Sequence, residues 1–153
     1  MMKIRRNLIQ TALGTLALLS LPGWAQLAPP DLSPAQANRP RASKNESAIQ
    51  QIAPHAKFSK EGVLVVGTTT SRLPFGAFAT DNKTVVGVMP DIAQLVADSL
   101  GRRLEIVPVV WADWPLGLSS GKFDLVIANV TVTEERKEKF DFSTWRNDTL
   151  GFY

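Results

Sequence analysis

The sequence contains no cysteine and a single histidine, His55. Without cysteine, the chain can form neither a disulfide framework nor a lipid-attachment site after an export signal. The one histidine lies in a poorly structured stretch, and no pair of carboxylates has a spacing typical of general acid–base catalysis. We therefore predict a protein that is not an enzyme and that needs no cofactor and no metal ion.

The sequence after its first six residues also has no excess of positive charge. The formal net charge is +3, but the 17 basic residues fall to 14 without Lys3, Arg5 and Arg6, which equals the 14 acidic residues. Proteins that bind nucleic acid or an anionic membrane need such an excess to neutralise phosphates. The sequence therefore predicts no nucleic-acid partner.

Residues 1–25 have the pattern of a cleaved signal peptide. Three basic residues precede an apolar run at 8–21, and Gly23 and Ala25 are the small residues that signal peptidase requires. The alternative is an uncleaved membrane anchor, but polar residues make the run short and poorly apolar for a stable span. We predict a periplasmic protein that is exported and not a lipoprotein.

Residues 26–60 have the composition of a proline-rich linker. Prolines at positions 29, 30, 34 and 40 lie among Ser, Asn, Gln and Ala with no apolar period, so we expect a spacer without packed structure of its own over 26–46. Ile49, Ile52 and Ala53 have helical spacing, which predicts a short helix that could dock on the following domain.

Residues 61–146 alternate short β-branched apolar runs with helical patterns, which is typical of parallel strands joined by crossover helices. Pro90 near a helix start and Gly101 after its end bound the longest helix. We predict an α/β lobe with an open, mostly parallel sheet and flanking helices. Its predicted strands are 63–66, 104–110 and 123–128, its helices are 90–101, 114–120 and 134–139, and a turn lies at 81–84.

Ligands of open α/β sheets bind where strands end and helices begin. After the third predicted strand, Thr131 offers a hydroxyl and a backbone amide, and Arg136 has a planar fork that matches a carboxylate. The helix dipole disfavours a cation in the first helical turn, so Arg136 indicates a nearby anion. The alternative is that Arg136 pairs with Glu134, Glu135 or Asp141 on a solvated surface.

The loops after the other two strands hold further candidates. Residues 67–75, which include Thr69 and Arg72, carry hydroxyls that suit polar ligand contacts, although such hydroxyls also serve as local backbone partners. Trp111 follows the second strand directly, where it forms either an apolar wall of the crevice or part of the core.

Taken in order, these segments resemble the extracellular solute-binding proteins, family 3, which serve polar amino acid ABC importers. The resemblance covers the N-terminal lobe, from Gly62 to Tyr153. It rests on Val63–Thr68, Pro74-Phe75, Gly87, Asp91-Ile92-Ala93, Trp111, Ser120–Asp124, Thr131–Arg136 and Phe140–Ser143. It implies a type II periplasmic binding protein lobe, an amino acid or related carboxylate as ligand, and an ABC permease as partner.

The resemblance also implies roles for single residues. The arginine that matches Arg136 binds the α-carboxylate of the ligand, and the residues that match Thr131 and Asn129 add hydrogen bonds. The position of Ala128 supplies a backbone carbonyl to the α-amino group. The aromatic residue at the position of Trp111 packs on the ligand.

Two positions depart from the family pattern in a way that bears on ligand charge. Arg72 stands where an aromatic residue commonly stacks on the ligand, and Thr69 replaces the acid that binders of basic amino acids often use. We therefore expect a ligand with a second anionic group and expect cationic ligands to be disfavoured.

Members of this family have two lobes, and residues 147–153 lie where the first strand between the lobes is expected to begin. We expect this chain to lack the second lobe, to bind ligand weakly and to be marginally stable. Two alternatives remain at this stage: an exported enzyme that resembles cyclohexadienyl dehydratases, and the sensor module of a membrane receptor.

Overall fold

The computed structural model describes residues 29–143, so the predicted signal peptide and the predicted inter-lobe strand at 147–153 lie outside the described residues. Residues Trp111–Asp113 form a 3₁₀ turn directly before the helix that begins at Trp114. The elements in chain order are α1 Glu46–Ile52, β1 Val63–Thr68, β2 Ala77–Phe78, β3 Val85–Val86, α2 Val88–Ser99, β4 Arg103–Pro108, α3 Trp114–Ser119, β5 Leu125–Val126 and α4 Glu134–Lys137.

Strand β1 lies at the centre of a three-stranded parallel sheet of order β4-β1-β5. All of its six residues pair with β4, from Val63 opposite Arg103 to Thr68 opposite Pro108. On its other side, Val66 and Gly67 pair with Leu125 and Val126. Every residue of β1 is buried, as expected for a parallel strand that is covered on both faces.

The alternating side chains of β1 supply two separate apolar cores. On one face Leu64 and Val66 pack against Ala93 and Ala97 of α2. On the other face Val63 and Val65 pack against Phe123, with Leu118 of α3 at the margin. The period of two along β1 therefore assigns one helix to each face of the sheet.

The predicted α/β lobe with a mostly parallel sheet is confirmed, while several element bounds differ. The second predicted strand ends at Pro108 rather than at 110, and regular pairing in the third is limited to Leu125–Val126. Hydrogen bonds from Asp124 N to Val65 O and from Ile127 N to Gly67 O extend the contact with β1 beyond those two residues. Helix α4 ends at Lys137 rather than at 139.

Helix α2 begins two residues before the predicted start at Pro90. Its N-cap is Gly87, whose φ of 120° disfavours other residues, and the amides of Val88 and Met89 donate to the carbonyls of Pro74 and Phe75. These bonds satisfy helix-start donors that lack partners within the helix. Pro90 lacks an N–H group and is tolerated because it still lies within the first turn.

The predicted turn at 81–84 closes a hairpin between β2 and β3, where Ala77 pairs with Val86 and Phe78 pairs with Val85. The carboxylate of Asp81 accepts hydrogen bonds from the amides of Lys83 and Thr84 and from the Thr84 hydroxyl. These bonds lower the pKa of Asp81. The side chain of Asp81 thus stabilises the turn by accepting hydrogen bonds from the backbone of the residues that follow it.

Asp124 joins the sheet to the segment before it. Its two carboxylate oxygens accept hydrogen bonds from Ser59 N at 2.6 Å and from Val65 N at 2.7 Å. The preceding residue, Phe123, fills the core between Gly67 and Gly117, so the pair Phe123-Asp124 fixes β5 to β1 by packing and by hydrogen bonding.

The described part of the predicted spacer, residues 29–45, contains no helix or strand but contacts α2. Arg41 donates two hydrogen bonds to Asp98, at 2.6 and 2.8 Å, and the amide of Ala42 donates to the same carboxylate. The composition of the segment did not indicate these contacts. Helix α1, beyond it, occupies the region of the predicted short helix and is capped by the side chain of Asn45.

We predict that Gly117→Ala destabilises the lobe, although alanine favours a helix over glycine by about 1 kcal/mol. A Cβ at position 117 would lie 2.3 Å from Cζ of the fully buried Phe123 ring. Overpacking of this kind costs about 1–3 kcal/mol. Urea unfolding measures the change, and Ser119→Ala, at an exposed position of the same helix, is the control. A smaller cost in a Phe123→Leu background is also expected, and an increase in stability would contradict the prediction.

We predict that the Arg41–Asp98 pair makes stability depend on acid pH. The side-chain hydrogen bonds from Arg41, with further bonds from Ala42 and Gln94, lower the pKa of Asp98 from 3.8 to about 2. A carboxylate with a lowered folded-state pKa stabilises the fold above the unfolded-state pKa and loses that effect as the pH falls towards the folded-state value. The melting temperatures of the unmodified chain and of Asp98→Asn should therefore differ most above about pH 4 and converge towards about pH 2. A difference that is constant over this range would contradict the prediction.

Candidate ligand-binding site

The carboxyl ends of β1, β4 and β5 meet at one edge of the sheet, and the chain crosses from β4 on one side of β1 to β5 on the other. Such a reversal leaves a crevice at the strand ends, where ligands of open α/β sheets bind. The loops that begin at Thr69, Val109 and Ile127 all start at this edge. These loops, together with the 3₁₀ turn and α4 that follow them, carry the seven residues that the sequence predicts as ligand contacts.

Thr68, the last residue of β1, connects all three strand ends. Its side chain is fully buried, and its hydroxyl donates to the carbonyl of Ile127 at 2.6 Å. Its own carbonyl accepts a hydrogen bond from Val109 N at 2.9 Å. Because a buried hydroxyl that is hydrogen-bonded resists displacement, these bonds fix the starting points of the three loops.

Arg136 is held by its backbone and by its side chain. Thr133 caps α4, and its hydroxyl accepts a hydrogen bond from the amide of Arg136 at 3.3 Å. One terminal nitrogen of the guanidinium donates to the carbonyl of Thr131 at 2.7 Å. The sequence predicts Thr131 and Arg136 as separate ligand contacts, and the structure adds this direct bond between the Arg136 side chain and the Thr131 backbone.

The guanidinium of Arg136 lies near two indole rings. Its central carbon is 6.0 Å from the ring centroid of Trp111 and 5.8 Å from that of Trp114, the separations of weak cation–π contacts. Trp111 is 47% exposed, whereas Trp114 is 4% exposed and packs against the ring of Phe140. Trp111 therefore belongs to the crevice wall rather than to the core, and Trp114 forms the floor beneath the arginine.

No carboxylate neutralises Arg136 in the part of the chain that the structure describes. Glu134 pairs instead with Lys137 at 2.7 Å, and the ion pairs of residues 29–143 do not include Arg136. The alternative in which Arg136 serves as a surface ion pair is therefore not what the fold shows. Within residues 29–143, no carboxylate therefore compensates its positive charge.

Arg72 lies in the tight loop after β1. Its amide and carbonyl form a reciprocal pair of 3.0 Å hydrogen bonds with those of Gly76, and its exposed guanidinium lies 5.7 Å from the ring centroid of Phe75. A Cβ at Gly76 would lie 2.3 Å from the carbonyl oxygen of Thr69, so the loop closes on itself only with glycine there. Thr69 is half-buried beneath this closure.

The remaining predicted residues lie just after β5. Ala128 is buried, and Asn129 is exposed with a left-handed φ of 51°, a conformation that asparagine adopts more readily than most residues. The turn at Asn129 redirects the chain from the sheet edge towards Thr131. Ala128 and Asn129 lie two and three residues after Val126, the end of β5.

An open cleft of about 470 Å³ lies between the 3₁₀ turn, α3 and α4. Of the predicted residues it brings together Trp111 and Arg136, while Thr69, Arg72, Ala128, Asn129 and Thr131 do not line it. It also contains Trp114 and Phe140, which the sequence analysis did not assign to the site. Their signal was helical spacing, since Trp114 lies three residues after Trp111 and Phe140 lies four after Arg136.

Across positions 29–143, no three His, Cys, Asp or Glu side chains lie close enough together to hold a metal ion. Over the same positions, no helix has the length and hydrophobicity that crossing a membrane requires.

The parallel sheet with its flanking helices is that of a lobe of the type II periplasmic binding protein class. Residues 64–151 match the profile of the bacterial extracellular solute-binding proteins, family 3. The chain belongs to this family.

Curated relatives match the same region. The L-cystine-binding protein TcyJ of Escherichia coli (strain K12) is 36% identical over 88 residues, which are 58% of this chain and 33% of TcyJ. The cyclohexadienyl dehydratase of Pseudomonas aeruginosa is 32% identical over 84 residues, which are 55% of this chain and 31% of that enzyme. The chain thus spans about a third of the length of these relatives.

A solved structure agrees with this assignment. An ancestral arginine-binding protein bound to arginine is 42% identical and superposes with a TM-score of 0.51 over 54% of this chain and 36% of that one. The predicted family and the predicted fold class are therefore confirmed.

Proposed function

We propose that the chain binds an amino acid or a related small carboxylate in the periplasm and presents it to an ABC permease. The observation that carries this proposal is Arg136, a guanidinium that is positioned by Thr131, Trp111 and Trp114 and lacks a carboxylate partner among residues 29–143. A planar fork held in this way matches the two oxygens of a carboxylate. The relatives that bind L-cystine or arginine support the ligand class.

The other predicted contacts complete the same proposal. Trp111 would cover the apolar part of the ligand, and Thr131 and Asn129 would donate hydrogen bonds from the turn after β5. Ala128 would offer its carbonyl to the α-amino group, while Thr69 and Arg72 would meet the ligand side chain from the loop after β1. The support for this arrangement is that all seven residues lie in the loops that start at one sheet edge or in the 3₁₀ turn and helix α4 that follow those loops.

Arg72 is the residue that we propose selects the charge of the ligand. No ion pair within residues 29–143 includes it, and Thr69 beside it is uncharged. An uncompensated guanidinium repels a cationic side chain and attracts an anionic one. We therefore propose glutamate-like ligands rather than arginine-like ligands, in contrast to the arginine-bound ancestral relative.

Catalysis is not part of the proposal, although one matched relative is a dehydratase. The groups assembled at the sheet edge are those that bind carboxylates, and the one histidine, His55, lies in a turn before β1. Appearance of new ligand signals during a binding titration would show turnover and contradict this view.

We propose export through a signal peptide that is cleaved after Ala25. The basic start, the apolar run and the small residues at 23 and 25 support this proposal, as does the extracellular assignment of the family. We expect N-terminal sequencing of the protein from a periplasmic extract to begin at Gln26. A chain that still begins at Met1 would contradict it.

The ligand test is an NMR titration of the chain with glutamate, glutamine, arginine and cystine. We expect glutamate to bind most tightly and to shift the signals of Trp111 and Arg136. Arg136→Gln should weaken binding by about 10- to 100-fold, because it removes a charge-assisted contact of about 1.5–3 kcal/mol. Arg103→Gln, at the first residue of β4 and thus at the opposite edge of the sheet, is the matched control.

Three outcomes separate the parts of the proposal. Equal binding by Arg136→Gln and the unmodified chain would refute the carboxylate contact. Preference for arginine over glutamate would refute the role of Arg72 and leave the contact at Arg136 intact. Equal losses in Arg136→Gln and Arg103→Gln would show that net charge, rather than the site, attracts the ligand.

A further inference from the structure

The outer surface of α2 carries a polar stripe that the two apolar cores do not use. Asp91, Gln94 and Asp98 follow one another at spacings of three and four residues, so they lie on one face of the helix. Ala93 and Ala97 face the core on the opposite side. Gln94 donates to Asp98 at 2.9 Å, which links two members of the stripe.

Residues 31–45, here called the strap, lie along this stripe. Near the start of the helix, Nε of Arg39 donates to Asp91 at 3.1 Å, and a terminal nitrogen of Arg39 donates to the carbonyl of Val85 in β3 at 2.7 Å. The side chain of Arg39 is only 14% exposed. Near the end of the helix, Arg41 binds Asp98 with both arms of its fork.

Backbone hydrogen bonds attach the strap at both of its ends. Leu32 O accepts from Thr80 N at 3.0 Å, close to the β2–β3 hairpin. Asn45 N donates to Ser99 O at 2.8 Å, which satisfies a carbonyl at the C-terminal end of α2. The methylene chain of Lys44 lies against Gly101, where an added Cβ would approach it within 2.8 Å.

The side-chain and backbone contacts together distinguish the strap from a spacer that forms only incidental surface ion pairs. A single exposed ion pair contributes little to stability, because solvent and salt screen it. Here one arginine is largely buried, the other is bidentate to a carboxylate that is 8% exposed, and backbone bonds flank both. The strap also precedes the family match, which begins at residue 64.

We propose that the outer face of α2, from Asp91 to Asp98, is a docking surface for an extended segment that carries arginines, and that the strap of this chain is its occupant. The folded lobe thus begins near residue 31. This inference does not depend on the proposed ligand or on the proposed transport role.

Docking of the strap also braces a loop of the candidate site. Arg39 connects β3 to the first turn of α2, and the first amides of α2 bond to the carbonyls of Pro74 and Phe75. Those two residues belong to the loop that carries Arg72. A continuous series of contacts therefore runs from the strap through α2 to the β1–β2 loop.

Hydrogen–deuterium exchange of the full chain tests the proposal at neutral pH. We expect the amides of Ala42 and Asn45 to be protected and to exchange about tenfold faster in Asp98→Asn and in Arg41→Gln, because each variant promotes local opening of the strap. The amides of Val63–Thr68 report whether the lobe itself stays folded. Glu105→Gln, which breaks the exposed Lys60–Glu105 pair elsewhere on the surface, is the matched control and should leave the strap protected.

A variant in which the charges of Arg41 and Asp98 are exchanged tests the proposal even if one of the single variants unfolds. Arg41→Asp combined with Asp98→Arg should restore protection that Arg41→Asp alone removes. Exchange of residues 36–45 of the unmodified chain at the rate of an unstructured peptide would overturn the proposal. Unchanged protection in Asp98→Asn and Arg41→Gln would overturn it as well.

Discussion

The complete burial of β1 is the constraint on which the rest of the lobe depends. A parallel strand that is covered on both faces and paired on both edges leaves its neighbours little freedom. Its odd and even residues assign α2 to one face and Phe123 to the other. Because interiors are close-packed, the Phe123 ring has little room between two glycines: an added Cβ would lie 3.1 Å from the ring at Gly67 and 2.3 Å from it at Gly117.

The candidate site follows from the last residue of that strand. Thr68 uses its hydroxyl and its carbonyl to hold the ends of β5 and β4, so three loops start from fixed points at one edge. Arg136 can then be positioned by weak contacts alone, namely a cap, one hydrogen bond and two indole rings. None of these contacts neutralises its charge, which is the condition for binding an external carboxylate.

Apolar side chains are also exposed beside the candidate site, within the part of the chain that the structure describes. Trp111, Val110 and Leu116 are all strongly exposed there, and apolar groups collected at one edge typically mark a surface that binds a partner or a ligand. The strap has the opposite role at the outer face of α2, where it covers a polar stripe with arginines. Within residues 29–143, the outer face of α2 is thus covered by the strap, whereas apolar side chains beside the candidate site are exposed.

Whether a feature of the fold or of the candidate site could be predicted depends on how far apart in the sequence the interacting residues lie. The first strand from Val63 and the turn at 81–84 followed from local patterns, because periodicity and turn chemistry act within a few residues. The sequence alone likewise indicated the family, through the order of its motifs. It did not reveal that Trp114 and Phe140 support Arg136, or that Arg39 and Arg41 bind α2. Those contacts join residues that come close only when the sheet and its helices pack together. The composition of a segment does not indicate which partner a charged side chain will have in the folded chain.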